Sequence, residues 1–565
     1  MHSPADPTTL DAVASRRAVL TRVAATAGLV VAGSGVDLLS PAAAARRPER
    51  HGRGKHHHRD REPGKGGHGK HPRKSKKAGK RARSTAYRKK TVVLATADRH
   101  LVGRFSYGVT PALAKQVEKA GGARAWFERQ LEPASIPDGY ADGLKAWWPG
   151  LANGPQLLWA NTQSGVEPGW EVMQDLQRWV LMRRIHSQRQ VLEVMTEFWE
   201  NHLHVPVNGD GSFTYRVDYG ELVRRHALGS FVDLLTDAVT HPALGIFLDN
   251  AVSTRRAPNE NLGRELLELH TVGRGNYDES DVKDSARILT GWRVDTYKTW
   301  SATYVPTDHA TGPVSVMGFS DANASSDGRD LTRRYLRYLA LHPATAQRIC
   351  RKLAVKLVRD EPPQTLVDQL AAVYLANDGR VVPVLRALVG SSAFAGSVGA
   401  KVRDPGEDVV ATYRVLGIRP SRPTRDEDAA NAILWQVGSL GALPFGWARP
   451  DGAPIDNASW ATTSRMLAAF DVHYSLSGQW WPSTGATFTS HSRWLPQRQI
   501  RFDRLVDHLS RQLLQRPASP TMLTACREAV GVGRKTVITR KHDLVKWGMP
   551  RLLTTLLDSP THMSR

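Results

Sequence analysis

The side chains best suited to chemistry lie in two short motifs, one around His202 and one in residues 259–270. In the second motif Asn261, Glu265 and Glu268 recur at i, i+4 and i+7, so a helix would place them on one face near its apolar edge. Acids beside buried surface must be paired, hydrogen-bonded or metal-bound, because an uncompensated buried charge is costly. Such carboxylates suit a general acid and base, or the ligands of a divalent metal, which is the candidate cofactor.

His202 is the first candidate for a metal ligand or base. It lies in the segment FWENHLH, residues 198–204. Neutral imidazole is a common metal ligand and a common proton shuttle near neutral pH, and Asn201 could orient the ring. The alternative is a core histidine that a carboxylate satisfies across a helix pair.

The remaining polar residues of this region receive hypothetical roles. Arg264 could orient the two acids or bind an anionic substrate. The competing interpretation is a structural salt-bridge network, centred on Arg264, that holds two helices together. The candidate catalytic residues are His202, Arg264, Glu265 and Glu268, the candidate metal ligands are His202 and Glu265, and the candidate binding residues are Asn201, Asp249, Asn259, Glu260, Asn261, His270 and Trp292.

A helical hairpin must position the second motif. Gly273 closes the first helix as a C′ glycine, and Asp278 caps the second helix, which is expected to end near Trp292. Apolar side chains recur at i, i+4 and i+7 in both helices, which predicts two buried stripes. These stripes are Leu262, Leu266 and Leu269 in the first helix, and Val282, Ala286 and Leu289 in the second.

The hairpin also carries a resemblance. Its pattern N-E-N-x-x-R-E-L-L-E-L-H-T-x-G, followed by A-R-x-L-T-G-W at residues 286–292, closely resembles the bacterial domain-of-unknown-function 1800 family. The segment around His202 resembles that family's F-W-x-N-H-F motif, with Leu203 in place of Phe, and the resemblance extends roughly from Asp98 to Pro560. It implies an exported, largely helical protein with no defined activity, often encoded beside twin-arginine-exported sulfatase-like proteins.

The charge of this 565-residue chain is concentrated near its amino terminus. Residues 46–90 hold 19 Lys and Arg and 3 acids, so they contribute +16 of the net charge of +23, and the rest of the chain contributes +7. With almost no apolar residues, residues 45–90 are predicted to be a disordered basic linker. Such an arm fits an anionic cell-surface polymer, and a merely solvating linker is the alternative. Nucleic acid is disfavoured because Tyr87 is the segment's one aromatic residue.

The first residues predict a twin-arginine-type signal peptide over 1–44. Arg16 and Arg17 precede an apolar run at 23–36, and an A-x-A cleavage site follows near Ala44. A structural first helix is the alternative. The prediction is therefore export by the twin-arginine route to the cell envelope or beyond, with no transmembrane span in the mature chain.

The folded part, residues 91–565, is predicted to be mainly α, with one large multi-helix body or two packed lobes and few short strands. Cys350 and Cys526 are expected to be two buried thiols, with a single disulfide between them as the alternative, and the sequence has no CxxC or Cys/His zinc spacing. The sequence contains no Walker A loop, GxSxG elbow or HExxH motif.

Two classes of function fit these observations. The favoured one is a non-catalytic cell-envelope binding or assembly protein, with a co-exported sulfatase-like protein as a partner. The alternative is a metal-dependent or acid/base hydrolase that acts on an extracellular or cell-surface polymer through His202, Glu265 and Glu268.

Overall fold

The computed structural model describes residues 91–565, which form mainly α-helices with short two-stranded antiparallel sheets. The mainly α fold predicted from the sequence is therefore confirmed. The predicted signal peptide (1–44) and basic linker (45–90) lie outside the described residues.

The helices that precede the first sheet include the hairpin and the helix that carries His202. They are α1 (Thr96–Arg104), α2 (Pro111–Lys119), α3 (Ala123–Gln130), α4 (Gly139–Asp142), α5 (Pro155–Ser164), α6 (Gly169–His186), α7 (Gln190–His202), α8 (Phe213–His226), α9 (Phe231–Val239), α10 (Pro242–Phe247), α11 (Glu260–Glu265) and α12 (Glu279–Ile288).

The later helices complete the body around the same core. They are α13 (Arg329–Ala340), α14 (Pro343–Leu357), α15 (Gln364–Ala376), α16 (Val381–Gly390), α17 (Ser392–Ala395), α18 (Pro405–Leu416), α19 (Ala429–Ser439), α20 (Asn457–Trp460), α21 (Thr463–Gly478), α22 (Phe502–Leu513), α23 (Pro520–Val530), α24 (Met549–Leu557) and α25 (Pro560–Met563).

The strands pair as four small antiparallel sheets, β1–β2, β3–β4, β5–β6 and β7–β8. Each strand is two or three residues long, so the sheets lie within the connections between helices and do not form a layer of their own. The strands are β1 (Trp292–Val294), β2 (Ala302–Tyr304), β3 (Val314–Val316), β4 (Phe319–Asp321), β5 (Arg419–Pro420), β6 (Ala486–Thr487), β7 (Gln499–Arg501) and β8 (Val537–Thr539).

A core of apolar side chains, drawn from most of these helices, joins Leu101 near the start of the body to Met563 near its end. Helix α13 shows how the sequence builds it. Tyr335 and Leu339 are fully buried one turn apart, while Arg333 lies on the exposed side of the same helix. The two cysteines are buried free thiols, as predicted. Within residues 91–565 no helix has both the length and the apolarity needed to cross a membrane.

The first helix of the hairpin departs from the predicted periodicity. Helix α11 begins after Asn259, whose side chain accepts the Asn261 N–H, and it continues as a π-helical turn over Leu266–His270. Leu262 and Leu266 are buried as predicted, but Leu269 is partly exposed and Leu267 is buried in its place. The reason is geometric, because a π turn holds more residues than an α turn and rotates the following side chains around the axis.

The second helix of the hairpin starts as predicted and ends early. Asp278 and Asp281 form a reciprocal capping box at its start. The helix ends at Ile288, whereas the sequence suggested an end near Trp292, which instead begins strand β1. Gly273 adopts φ +87° between the helices, the conformation expected of a C′ glycine.

Candidate functional site

The two motifs meet at His202 and His270, both of which are buried. Nε2 of His202 lies 3.0 Å from the carbonyl oxygen of His270, and Nδ1 of His270 lies 3.1 Å from the carbonyl oxygen of His202. Each ring therefore donates an N–H to the backbone of the other motif. This reciprocal pair joins the end of α7 to the π turn, and it leaves Nε2 of His270 as a buried acceptor with no partner among the described residues.

Lys352 of α14 contacts the second ring nitrogen of His202. Its Nζ donates to Nδ1 of His202 at 3.1 Å. Burial lowers the pKa of His202 well below its usual value, and the positive charge of Lys352 lowers it further. The pKa of His270 falls to about 3, mainly because of burial. Both rings are therefore neutral at neutral pH, and His202 serves as a hydrogen-bond acceptor for a lysine.

Lys352 and Arg348 lie one turn apart on α14, and both are half-buried. Burial, together with the charge of Arg348, lowers the pKa of Lys352 to about 8. Nε of Arg348 donates to the carbonyl oxygen of Leu269 at 3.2 Å. Within residues 91–565 neither cation forms an ion pair with a carboxylate. Two partly desolvated positive charges thus stand together without a direct ion pair, although the charge of Glu268 raises the pKa of Arg348.

The acid that most raises the pKa of Lys352 is Asp451, which is exposed and engaged elsewhere. Nε1 of Trp447 donates to Asp451 at 2.8 Å, and the Arg449 guanidinium lies 3.3 Å from its other oxygen. Asp451 also raises the pKa of Glu265, so the charge of Asp451 acts on both the hairpin and α14.

Glu265 and Glu268 have different environments. Glu265 is half-buried, and no hydrogen bond or ion pair reaches it from the rest of the described chain. Burial and the charge of Glu268 raise the pKa of Glu265. Burial also raises the pKa of Glu268, but hydrogen bonds from Arg274 and Tyr277 outweigh it, so the net shift is downward. The pKa values of the two neighbouring carboxyls are therefore shifted in opposite directions, and neither carboxyl is hydrogen-bonded to His202.

Arg264 forms the contacts of the structural alternative. Its guanidinium makes a bidentate pair with Glu279 of α12, at 2.6 Å and 2.7 Å, and lies 3.5 Å from Glu260. It therefore bridges the two helices of the hairpin.

The other predicted binding residues are spread along the hairpin and its neighbours. Asn261 donates to Asp249 at 3.2 Å near the start of α11, two residues after the cap Asn259. Asn201 exchanges two hydrogen bonds with the backbone of Ala453, at 2.8 Å and 2.7 Å, and so ties a loop to the end of α7. Trp292 packs edge-on against Tyr304, on the strand that pairs with its own.

A family model described as a protein of unknown function (DUF1800) matches residues 100–564. The chain belongs to the DUF1800 family. The resemblance seen in the motifs is therefore confirmed, and the family description names no activity. No curated protein and no solved structure matches the chain.

In this DUF1800 protein the sequence reasoning missed Arg348 and Lys352. A signal was present, because Arg348, Lys352 and Lys356 recur at i, i+4 and i+8, a spacing that places three cations on one stripe of a helix. That stripe faces α7, since Lys356 pairs with Glu197 and Lys352 contacts His202.

Two groups of acids and histidines in the described part of the chain bring one ligand atom from each member within 4.8 Å of the others. In each group a cation already pairs with an acid. Lys356 pairs with Glu407, and Arg465 lies 2.8 Å from Asp408. We interpret both as structural ion-pair networks. The groups are Glu197, Asp404 and Glu407, and Asp408, His473 and His562.

The predicted metal ligands His202 and Glu265 belong to neither group. With Nε2 donating to a carbonyl and Nδ1 accepting from Lys352, His202 could bind a metal only if Lys352 moved away. The metal role of His202 and Glu265 stays a prediction, which metal analysis of the protein trimmed to begin at Thr91 would test.

One small cavity of this DUF1800 protein borders the first motif, and a larger groove lies away from both motifs. The small cavity, of about 90 Å³, lies between the end of α7 and the loop that carries Trp447, and Asn201 and His204 line it. It is far smaller than a typical small-molecule pocket of about 300 Å³ or more. The larger groove, of about 1070 Å³, lies near His186 and Arg414, and none of the candidate residues lines it. The arrangement at Lys352 therefore suits a group that docks at the surface.

Proposed function

We propose that this DUF1800 protein is an exported binding protein of the cell envelope that holds an anionic polymer at Arg348 and Lys352. The observation that carries the proposal is the pair of half-buried cations without a carboxylate partner among the described residues. Export by the twin-arginine route, the basic arm at residues 45–90 and a sulfatase-like partner belong to the same proposal and rest on the sequence alone.

The chemistry of the pair favours an anion. A desolvated lysine with a depressed pKa gains most from a negative group, because ion pairing restores the charged form. A guanidinium whose Nε is engaged still offers its terminal N–H groups to a planar carboxylate, or to a sulfate or phosphate. His202, held by the His270 carbonyl, positions the Lys352 ammonium for such a group.

The π turn gives the pair its support. A π-helical turn often marks a functional position, and here it brings the His270 ring to the end of α7 and the Leu269 carbonyl to Arg348 of α14. The cost of that irregular turn is offset by contacts to residues of the proposed site.

We expect Lys352→Met and Arg348→Ala to weaken binding of dextran sulfate and polyglutamate about tenfold, since a charge-assisted hydrogen bond contributes about 1.5–3 kcal/mol. Titration calorimetry on the chain from Thr91 onward, which lacks the basic arm, would measure it. Arg351→Ala is the matched control, because it removes an exposed cation from the same helix. Equal losses of affinity in Arg351→Ala and Lys352→Met would mean that the polymer binds by unspecific charge attraction.

A second function is supported by the split acidities of Glu265 and Glu268. A carboxyl of raised pKa beside one of lowered pKa is the arrangement of a general acid and its ionised partner. In that hydrolase the substrate is an extracellular or cell-surface polymer, and Arg348 and Lys352 bind its anionic groups.

For the hydrolase we expect wild-type chain to shorten an anionic polysaccharide, and Glu265→Gln to lose at least about a hundredfold in rate while it melts normally. Glu118→Gln, which makes the same change at an exposed acid of α2, should keep the rate. Size-exclusion analysis of the polymer would follow the reaction. An equal rate for Glu265→Gln and wild type would remove this function.

A further inference from the structure

A group of exposed aromatic rings lies in the last turns of α21 and just after its end, away from the motifs discussed above. Trp480 is 53% exposed, and Tyr474 and Trp481 are each 39% exposed. On the neighbouring helix α19, Trp435 is 77% exposed. Tryptophan and tyrosine rings contribute large favourable areas when covered, so several left open together indicate a surface that receives a ligand. We name Tyr474, Trp480 and Trp481 the aromatic platform.

The platform is held in place without being covered. The indole of Trp480 lies on Gly478, where an added Cβ would come within 2.4 Å of ring atom Cδ2. The Tyr474 ring meets that of Trp480 edge-on, with centroids 4.6 Å apart. The Trp480 N–H donates to the carbonyl oxygen of Ser475 at 3.1 Å, and the Ser475 hydroxyl donates to the carbonyl oxygen of Trp481 at 2.9 Å. These contacts fix the backbone, so the rings lose little freedom when a ligand stacks on them.

Few charged groups lie beside the platform along the chain, and His473, whose pKa is raised to about 9, is buried against Asp408. Residues 429–448 and 472–492 contain no Asp, Glu, Lys or Arg, although 23% of the whole chain is charged. The two segments are neighbours, because Nε2 of Gln436 lies 3.4 Å from the carbonyl oxygen of Trp481. Their exposed polar groups are mainly the hydroxyls and amides of Ser, Thr, Asn and Gln, and Asp471 marks the edge.

We propose that the aromatic platform binds a neutral glycan chain. The C–H face of a sugar ring is apolar and stacks on an indole or phenol ring, while sugar hydroxyls exchange hydrogen bonds with hydroxyl and amide side chains. A surface made mainly of rings, hydroxyls and amides suits an uncharged polymer, whereas a protein partner usually meets such rings within a rim that includes charged residues. This site is separate from the anion site at Lys352, so the protein would hold two chemically different polymers.

The test uses the full chain with cellohexaose and chitohexaose, two neutral oligosaccharides, in 0.5 M NaCl to suppress binding through the basic segment. We expect tryptophan fluorescence to change on titration, and binding to weaken about fivefold to tenfold in Trp480→Ala and in Trp481→Ala. Trp547→Ala is the matched control, because Trp547 is 80% exposed but lies beside Lys546 and near Asp543.

Absence of binding by both oligosaccharides, or an equal loss in Trp547→Ala, would overturn the proposal. So would a self-association that Trp480→Ala removes without any glycan binding, since the platform would then be a protein contact. Melting curves confirm that the variants fold. If Trp481→Ala does not fold, the more exposed Trp480→Ala decides alone. Failure of the anion site would leave this result unchanged, because Lys352→Met alters only binding of charged polymers.

Discussion

Replacing Lys356 by methionine should lower the free energy of unfolding by about 3–5 kcal/mol at pH 7, because it strands buried carboxylates. Nζ of Lys356 lies 2.9 Å from Glu197, 2.9 Å from Glu407 and 3.3 Å from Asp404. These partners are buried or nearly so, and among the described residues Arg184 and Arg565 would remain as their ion-pair partners. Urea denaturation of the chain from Thr91 onward would measure the loss.

The deficit of Lys356→Met should shrink at pH 5. Burial, with the nearby charges of Glu407 and Glu197, already raises the pKa of Asp404 to about 6, and removing the ammonium raises it further. Protonation at lower pH then removes the unpaired charge, so the variant recovers part of its stability. A loss below about 1 kcal/mol at pH 7 would mean that the network is not a determinant of stability.

Replacing Lys352 by methionine, one turn earlier on the same helix, should have the opposite effect and stabilise the protein by about 2 kcal/mol at pH 7. The pKa of Lys352 falls from 10.5 to about 8 in the folded state, which corresponds to a cost of about 3 kcal/mol for the charged form. The variant also loses the hydrogen bond to His202, which destabilises it by about 1 kcal/mol and leaves the net stabilisation of about 2 kcal/mol.

The sign of the pH dependence follows from the direction of this shift. Because the folded pKa of Lys352 lies below its unfolded value, the cost is fully present below about pH 8 and disappears as the pH approaches 10.5. The stabilisation by Lys352→Met should therefore decrease between pH 8 and pH 10. His473 changes stability in the other direction, because its pKa is raised to about 9, so each variant must be compared with wild type at the same pH. A destabilised Lys352→Met at pH 7 would show that the lysine is a structural group.

Much of the fold could be predicted from sequence because it depends on local patterns. Apolar residues at helical spacing identified both helices of the hairpin, and Asp278 identified a helix start. The burial of Leu267 in place of Leu269 could not be predicted, because the i, i+4, i+7 spacing assumes α-helical geometry and the π turn departs from it.

The site was harder to predict because its decisive contacts are between distant residues. His202 and His270 were singled out by residue type, yet they meet through each other's backbone carbonyls, which leave no trace in the side-chain pattern. Lys352 and Lys356 are equivalent in the sequence of α14. They differ only because Lys356 meets acids from two other helices and Lys352 meets a neutral imidazole.

The claim that Lys352 binds an anion is tested most directly by proton uptake during binding. At pH 8.5 a lysine of pKa about 8 is roughly one-quarter protonated, so an anion that restores its charge should draw in roughly 0.7 of a proton. Titration of dextran sulfate in two buffers of different ionisation enthalpy measures that uptake. The account predicts this uptake for wild type and for Arg351→Ala, and none for Lys352→Met. The same uptake in Lys352→Met, or tight binding without any uptake in wild type, would contradict it.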